Sequence, residues 1–442
     1  MSLFSNLYTA SSGLNVSSTT MSVIGDNIAN VNTIGYKQNR ASSSDAFPLT
    51  TGTINGPAKL GTGANVAGIT SVFAQGAIQS SGNALDMAIN GNGFYAVKGG
   101  DQTFYSRAGE FFLDDNGFIV TPQGYQLQGY LAEEGAILPS MGSLQIPTTP
   151  IPSQNTTNVS LTANLDADAD SSATPVGNMT LDGLNETITE VASASDYSTS
   201  VTVYDSLGNA HELTIAFEKD ATNTWSYYVL ADAGSIDDPN GLGYSSGNAF
   251  AISSGSVTFN NDGSINSFTQ TNTSSQTPWS FAGAAAQDFN FNFGVDANGN
   301  VVSGALTQIA SASSVTSLEQ DGYGLGQMVG LKVLTDGTIT GTYDNGQEMV
   351  LGQVALASFK SENGLERLGG NLFRATFLSG EPAMGAPGSG GRGGVFGNAL
   401  ESSNVDIEDQ FVTMITAQRS YQANSRVLSS TNELLRELVN LV

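Results

Sequence analysis

The stretch ALESSNVDIEDQFVTMITAQRSYQANSRVLSSTNELLRELVNLV (399–442) carries an apolar residue at every seventh position: Ile407, Met414, Tyr421, Leu428, Leu435 and Val442. Phe411, Ile415, Leu438 and Val439 widen the stripe. A sustained seven-residue period marks a helix with one apolar seam. The start is signalled as well. Ser402, Ser403 and Asn404 are cap-competent, and Asp406, Glu408 and Asp409 place negative charge in the first turn, where it complements the helix dipole. Neither Gly nor Pro interrupts 398–442, so the pattern predicts a helix over 399–442.

The other end of the chain has the same period. Leu7, Leu14, Met21 and Ile28 are seven apart, with a companion row of Leu3, Ala10, Ser17, Ile24 and Val31. That is an a/d strip of about four heptads and predicts a helix over 1–34. Ala10 and Ser17 are small, so the strip should pack closely in its middle. Two amphipathic helices lying on a globular core would show the same periodicity. Pairing of the helices with each other, or with neighbouring copies, is the sharper reading. It is favoured by their place at opposite ends of the chain and by the polar rows at Gln418, Ser425 and Asn432, which do not suit deep burial.

Between the ends the chain reads as β. Residues 35–65 are rich in Asn, Thr, Ser and Gly and read as an extended linker. Short strands separated by turns begin at about 66, with a hairpin signal at Asp115-Asn116-Gly117. Pro147, Pro150 and Pro152 mark a boundary. Within 151–308, strands are expected at 199–205, 211–218, 224–230, 256–260 and 288–295. Leu207-Gly208-Asn209, Asn261-Asp262-Gly263 and Asn298-Gly299-Asn300 punctuate them, which suggests a β-sandwich or barrel. The style of 66–150 returns at 309–378, around Thr335-Asp336-Gly337 and Asn345-Gly346. The expected fold is therefore mixed and mostly β. Paired, coiled-coil-like terminal helices flank a discontinuous inner β domain (66–150 and 309–378), with an outer β domain inserted at 151–308. The Gly-rich segment 379–398 reads as a flexible joint to the last helix, centred on Gly388, Gly390, Gly391, Gly393 and Gly394. Such nesting suits a subunit of a tube, with helices at the axis and the insertion outside.

Composition narrows the function. The chain has 442 residues, 14 basic against 40 acidic, and a formal charge of −26. That charge repels nucleic-acid phosphates and anionic membrane surfaces. No apolar run approaches the ~20 residues of a membrane-spanning helix. The N-terminus has neither a basic region nor a continuous apolar run, so no cleaved secretory signal is expected. Cys is absent, which excludes disulfides, thiol nucleophiles and Cys-ligated zinc, and suits passage into an oxidising space.

Candidate chemistry is thin. His211 is the sole histidine and lacks the partners of a metal site or a triad. The run Asp166-Ala167-Asp168-Ala169-Asp170 lacks the Gly and Glu of a calcium loop and reads as an acidic loop. Asp114-Asp115 sits in a turn, where Asp bonds locally. The run at 388–394 lacks the Gly-Lys-Ser/Thr ending of a phosphate loop. Asn-X-Ser/Thr triplets such as Asn158-Val159-Ser160 are expected by chance at this composition. No enzyme, cofactor or metal is expected.

Four long blocks, in order, resemble the bacterial flagellar rod and hook family of axial proteins. They are SSGLNVSSTTMSVIGDNIANVNTIGYK (11–37), GNALDMAINGNGFYAV (82–97), YSRAGEFFLDDNGFIVTPQGYQLQGY (105–130) and the terminal block 399–442. VYDSLGNAHELTIAFEK (203–219) and the long block 321–373 resemble its hook members. Only part of 153–308 is covered. Asp26 stands where the family more often has Asn, and MSLFSNLYTA is a looser match.

The resemblance implies a hook subunit: a homo-oligomer forming a flexible helical tube that transmits torque from rod to filament. It implies terminal helices that line the channel, with Leu3, Leu7, Leu14, Met21, Ile24, Ile28, Val31, Ile407, Phe411, Met414, Tyr421, Leu428, Leu435 and Val439 as the assembly seam. It further implies the rod protein, the hook cap protein, the hook-filament junction protein and the flagellar type III export apparatus as partners, with the subunit outside the cell after export. A distal rod protein would lack so large an insert. A secreted β-rich adhesin would leave the two matching terminal seams unexplained.

Overall fold

The structure, a computed structural model, describes residues 3–53, 56–133, 135–170, 175–238, 241–271, 279–294 and 305–440. The expected turn Asn298-Gly299-Asn300 and Val442 lie outside the described residues, as do the side chains of Leu3, Leu438 and Val439. The chain is mostly β with a long helix at each end. The helices are α1 (Leu3–Ala29), the short α2 (Ile188–Ala194) and α3 (Ile407–Asn440). Two compact units divide it. Unit 1 comprises Met1–Thr148, Met328–Thr342 and Glu348–Val442; unit 2 comprises Thr149–Gln327 and Tyr343–Gln347.

Unit 1 is organised on strand Phe94–Gly99. It pairs antiparallel with Gln102–Ser106, Gln126–Glu133 and Leu356–Ser358. Strand Gln126–Glu133 in turn pairs with Glu348–Val354. Segments far apart in sequence thus close one sheet around Met87, Ile89, Val97, Phe111 and Leu127, all fully buried. Tight turns require glycine: Gly117 (φ 82°) follows Asp115-Asn116, and Gly337 (φ 78°) follows Asp336. Asp114 Oδ1 accepts from Asn116 N at 2.9 Å and Phe118 N at 2.8 Å, the local bonding a turn aspartate makes.

The stretch 35–65 is not an open linker. Strand Asn39–Asp45 pairs antiparallel with Ala64–Ser71, and Leu49–Thr53 pairs with Gly56–Leu60. Ser42, Ser43 and Ser44 in the first of these strands are exposed, so no apolar alternation marks it. The joint expected at 379–398 is likewise structured. Ala383–Gly385 pairs with Leu356–Ser358, and Gly394–Gly397 pairs with Met87–Asn90. Gly388 N donates to Gly393 O at 2.9 Å, and Gly393 N donates to Asn92 O at 2.7 Å. Gly388, Gly390 and Gly391 take positive φ in the loop, whereas Gly394 opens the strand and Gly393, just before it, is hydrogen-bonded at both N and O.

Unit 2 is a two-sheet sandwich. Its six-stranded antiparallel sheet contains Tyr197–Tyr204, Ala210–Ala221, Thr224–Asp232 and Asn248–Phe259 as neighbours. The second sheet centres on Asn158–Asp166, which pairs antiparallel with Ser314–Gln320. The inserted segment therefore runs past 308, to Gln327, because Ser314–Gln320 completes this sheet. Alternate residues of the central strands point inward. Leu161, Leu165, Phe217, Trp225, Tyr227 and Phe293 form one core between the sheets. The opposite face of the larger sheet is covered by α2 and residues around Val176, which bury Ala216 and Leu230. Glu190 and Thr187 cap α2 reciprocally.

Candidate assembly seam

Helices α1 and α3 pack against each other in antiparallel fashion. Asn27 Nδ2, near the end of α1, donates to Gln410 Oε1, near the start of α3, at 3.0 Å. Earlier in α1, Gly13 faces Asn424, and an added Cβ there would lie 2.5 Å from the Asn424 amide nitrogen. Glycine allows the two backbones to approach at that level.

The centre of this contact is small and polar. On α1 it is Ala10, Ser17 and Ile24, all buried and seven apart, with Val23 and Asn27 beside them. On α3 it is Gln410, Ala417, Asn424 and Thr431, again seven apart, with Ala417 and Thr431 buried. The row Ala10-Ser17-Ile24 was legible as the companion row, and Ile24 lies at its core. The other apolar rows flank the contact instead of filling it. Leu7, Leu14, Met21 and Ile28 are half-buried, as are Met414, Leu428 and Leu435. Helix α1 ends at Ala29, so Val31 lies in the turn beyond it. Ile407, Phe411 and Tyr421 are exposed to 42%, 50% and 40%. Val412, Ile415, Val427 and Leu434 are exposed as well. The antiparallel pair thus satisfies its small residues internally and leaves apolar surface uncovered on α3, the kind of surface that marks an interaction site.

The bases of both helices are fixed by buried polar groups that sequence reasoning missed. Asn27, 1% exposed, donates to Asn39 O at 2.8 Å and accepts from Asn39 N at 2.8 Å and Tyr36 OH at 3.2 Å. Lys37 Nζ lies 2.7 Å from Glu401 Oε1, and Arg107 Nη1 lies 3.6 Å from Glu401 Oε2, with all three side chains buried. Gly76 N also donates to Glu401 Oε1 at 2.8 Å. Burial pushes the Lys37 ammonium below its ordinary value, and bonding to Glu401 offsets part of that shift. The cluster ties the segment leaving α1, the β core and the segment entering α3 together. Nothing in the local pattern around these residues signals it, because the partners are distant in sequence. Asp26 accepts from Arg367 Nη1 at 3.1 Å, and that guanidinium lies 4.9 Å from the Tyr36 ring centroid. Both charges are partly exposed, so the pair contributes roughly 0–1 kcal/mol. The α3 cap is Asp406, whose Oδ1 accepts from Glu408 N at 2.8 Å. Asn404, read as cap-competent, instead bonds Gln38 N, Val72 O and Ala74 O.

The other sequence candidates are held in local structure. His211 Nε2 lies 3.0 Å from buried Asp205 Oδ2, and its ring stacks on Phe281 with centroids 3.7 Å apart. Burial raises the Asp205 carboxyl, but bonds from His211, Asn209 and Leu207 outweigh it and hold it below its ordinary value. In the acidic run, Ala167 and Ala169 carbonyls both accept from Lys219 Nζ at 2.7 Å. Among the described residues no three His, Asp or Glu side chains gather as a metal site, and no helix is long and apolar enough to cross a membrane.

Known proteins are similar to this chain over nearly its whole length. Family models match four stretches: flagella basal body rod protein (7–37), flagellar hook protein FlgE/F/G D1 domain (88–164), flagellar basal body protein FlaE D2 domain (164–323) and flagellar basal body rod FlgEFG protein C-terminal (397–441). The flagellar hook protein FlgE of Salmonella typhimurium is 36% identical over 98% of both chains. That of Borreliella burgdorferi is 32% identical over 99% of both. The solved hook protein FlgE2 of Helicobacter pylori is 14% identical, with a TM-score of 0.47 over 73% of this chain and 100% of its own.

Proposed function

The chain belongs to the flagellar hook protein family and is a structural subunit of the hook, and from that premise we propose how its parts serve a flexible tube. Helices α1 and α3 pair within one copy, and their uncovered apolar rows pack on the helices of neighbouring copies. Leu7, Leu14, Met21 and Ile28 on α1, and Ile407, Phe411, Met414, Tyr421, Leu428 and Leu435 on α3, supply that contact. The β units build the rest of the wall. The tube transmits torque from rod to filament and bends as it rotates.

The observation supporting this reading is the division of labour on α3: small polar residues face α1 while Phe411, Val412 and Ile415 stay exposed. Gly388, Gly390 and Gly391 are proposed as the compliant part of the Gly-rich loop; Gly394, paired in a strand, and Gly393, hydrogen-bonded at N and O and packed on Asn90, are not. The subunit leaves through the flagellar type III export apparatus. It grows beneath a cap protein and meets the rod protein and a junction protein at its two ends. It catalyses no reaction.

Deleting the gene in its own bacterium and imaging the cells by electron microscopy tests this. The expected result is basal bodies with rods but neither hooks nor filaments. Intact flagella would overturn it.

A further inference from the structure

One turn of unit 1 holds two apolar side chains out in water. Residues 375–380 read Ala-Thr-Phe-Leu-Ser-Gly. Phe377 is 101% exposed and Leu378 78%. Single exposed apolar residues are ordinary on protein surfaces. This pair differs because the turn beneath it is locked.

Ser379 is fully buried. Its Oγ accepts from Thr376 N at 2.9 Å and donates to Thr376 O at 2.9 Å. Leu378 N donates to Thr376 Oγ1 at 3.1 Å, and that hydroxyl donates to Gly364 O at 2.6 Å. Ser361 N donates to Ser379 O at 3.3 Å. The turn also lies hard against Gly364, where an added Cβ would fall 2.4 Å from Ser379 N and 2.5 Å from the Leu378 carbonyl carbon. A loose loop could fold Phe and Leu inward. This one cannot without breaking those bonds, so the pair is preorganised for an outside partner.

We propose that the Phe377–Leu378 turn is a contact between copies of this chain, seated against a neighbouring copy in the hook. The inference rests on the reading of the chain as a self-assembling subunit. Charge argues for that occupant. Copies carrying −26 each repel one another, so close approach favours uncharged ground. No charged residue lies between Ala375 and Gly380. A helical array also needs heterologous contacts, in which a patch on one copy meets a different patch on the next. A projecting apolar pair supplies one half of such a contact.

The test places the photo-crosslinking residue p-benzoylphenylalanine at position 377 of the full chain, in cells lacking their own copy of the gene. Hooks are isolated and irradiated. The expected product is an adduct of two chains, present in hooks and absent from the dissociated subunit. Intact hooks that give no chain–chain adduct, or an adduct with a different polypeptide, would overturn the proposal while leaving assembly itself standing. Failure of the unsubstituted chain to form hooks would overturn assembly and this contact together. Independently, the double change Phe377→Ser and Leu378→Ser should leave subunit unfolding unchanged but yield hooks that dissociate at a lower temperature. Phe377→Leu alone, which keeps an apolar side chain there, should retain most of the native heat resistance. Hooks of native heat resistance in the double variant would also contradict the proposal.

Discussion

The Nζ of Lys37 lies 2.7 Å from Oε1 of Glu401, both side chains being buried, so the segment leaving α1 is bonded to the segment entering α3. Removing one partner strands a buried charge. Glu401→Ala should therefore destabilise unit 1 by about 3–5 kcal/mol, because Lys37 and Gly76 N lose their acceptor and Arg107 loses its opposing charge. Both tryptophans, Trp225 and Trp279, are buried in unit 2. Tryptophan fluorescence therefore reports unit 2, and circular dichroism reports the additional transition. In urea the early loss should appear in circular dichroism alone. A native midpoint by both probes would contradict the latch.

Acid should weaken unit 2 through Asp321. Burial raises its carboxyl, but bonds from Asn158 N, Thr157 Oγ1, Thr157 N and Asn158 Nδ2 outweigh that and hold it at about 2, below its ordinary 3.8. A carboxylate depressed in the folded state stabilises that state above the unfolded value and loses this contribution as pH falls through the folded one. The loss attributable to Asp321 should therefore fall between pH 3.8 and about 2. Asp321→Asn should be less stable at pH 7 and should show a shallower decline across that window. Equal acid slopes for the two proteins, read by tryptophan fluorescence, would refute the assignment.

The Gly-rich loop separates two kinds of glycine. At Gly391 (φ 81°) an added Cβ meets nothing, so Gly391→Ala should incur only the left-handed backbone cost of about 1–2 kcal/mol. At Gly393, just before the strand Gly394–Gly397, an added Cβ would fall 2.3 Å from Asn90 O. Gly393→Ala should be the more damaging of the two in thermal unfolding of unit 1. Equal and negligible effects would mean that the whole loop is loose.

The centre and the flank of the helix pair should also separate. Leu428→Glu, at a half-buried flank position, should leave the β units folded by circular dichroism and abolish tube formation by electron microscopy. Ala417→Leu should instead overpack the close approach to α1, at about 1–3 kcal/mol, and so weaken the pair within a single copy. Tubes of normal number from Leu428→Glu would count against the flank as an inter-copy contact.

Much of the fold was legible because its signals are local. Seven-residue spacing gave the terminal helices, although the last begins at Ile407 and not at 399, because Ala399–Glu401 pairs as a strand with Ile78–Ser80. Asn116-Gly117, Asp262-Gly263 and Asp336-Gly337 gave turns, since each glycine takes a positive φ. The centre of the helix pair was half legible. Ala10, Ser17 and Ile24 stood out as a row, whereas Gln410, Asn424 and Thr431 are polar and invisible to an apolar pattern. The strand Asn39–Asp45 was hidden by its exposed serines, Ser42, Ser43 and Ser44. The pairing of Gly394–Gly397 with Met87–Asn90, and of Ser314–Gln320 with Asn158–Asp166, joins residues far apart in sequence. No local window contains such a contact. The Lys37–Arg107–Glu401 cluster was missed for the same reason.

What covers the apolar flank of α3 decides whether the helices assemble copies. Helical reconstruction of native hooks by electron cryo-microscopy, at side-chain resolution, reads it directly. Phe411, Ile415 and Tyr421 are expected within about 4–4.5 Å of side chains from a neighbouring copy, with Ala417 and Thr431 still facing α1 of their own chain. Those aromatic and aliphatic side chains facing open solvent in the assembled tube, with no neighbour in contact, would contradict it.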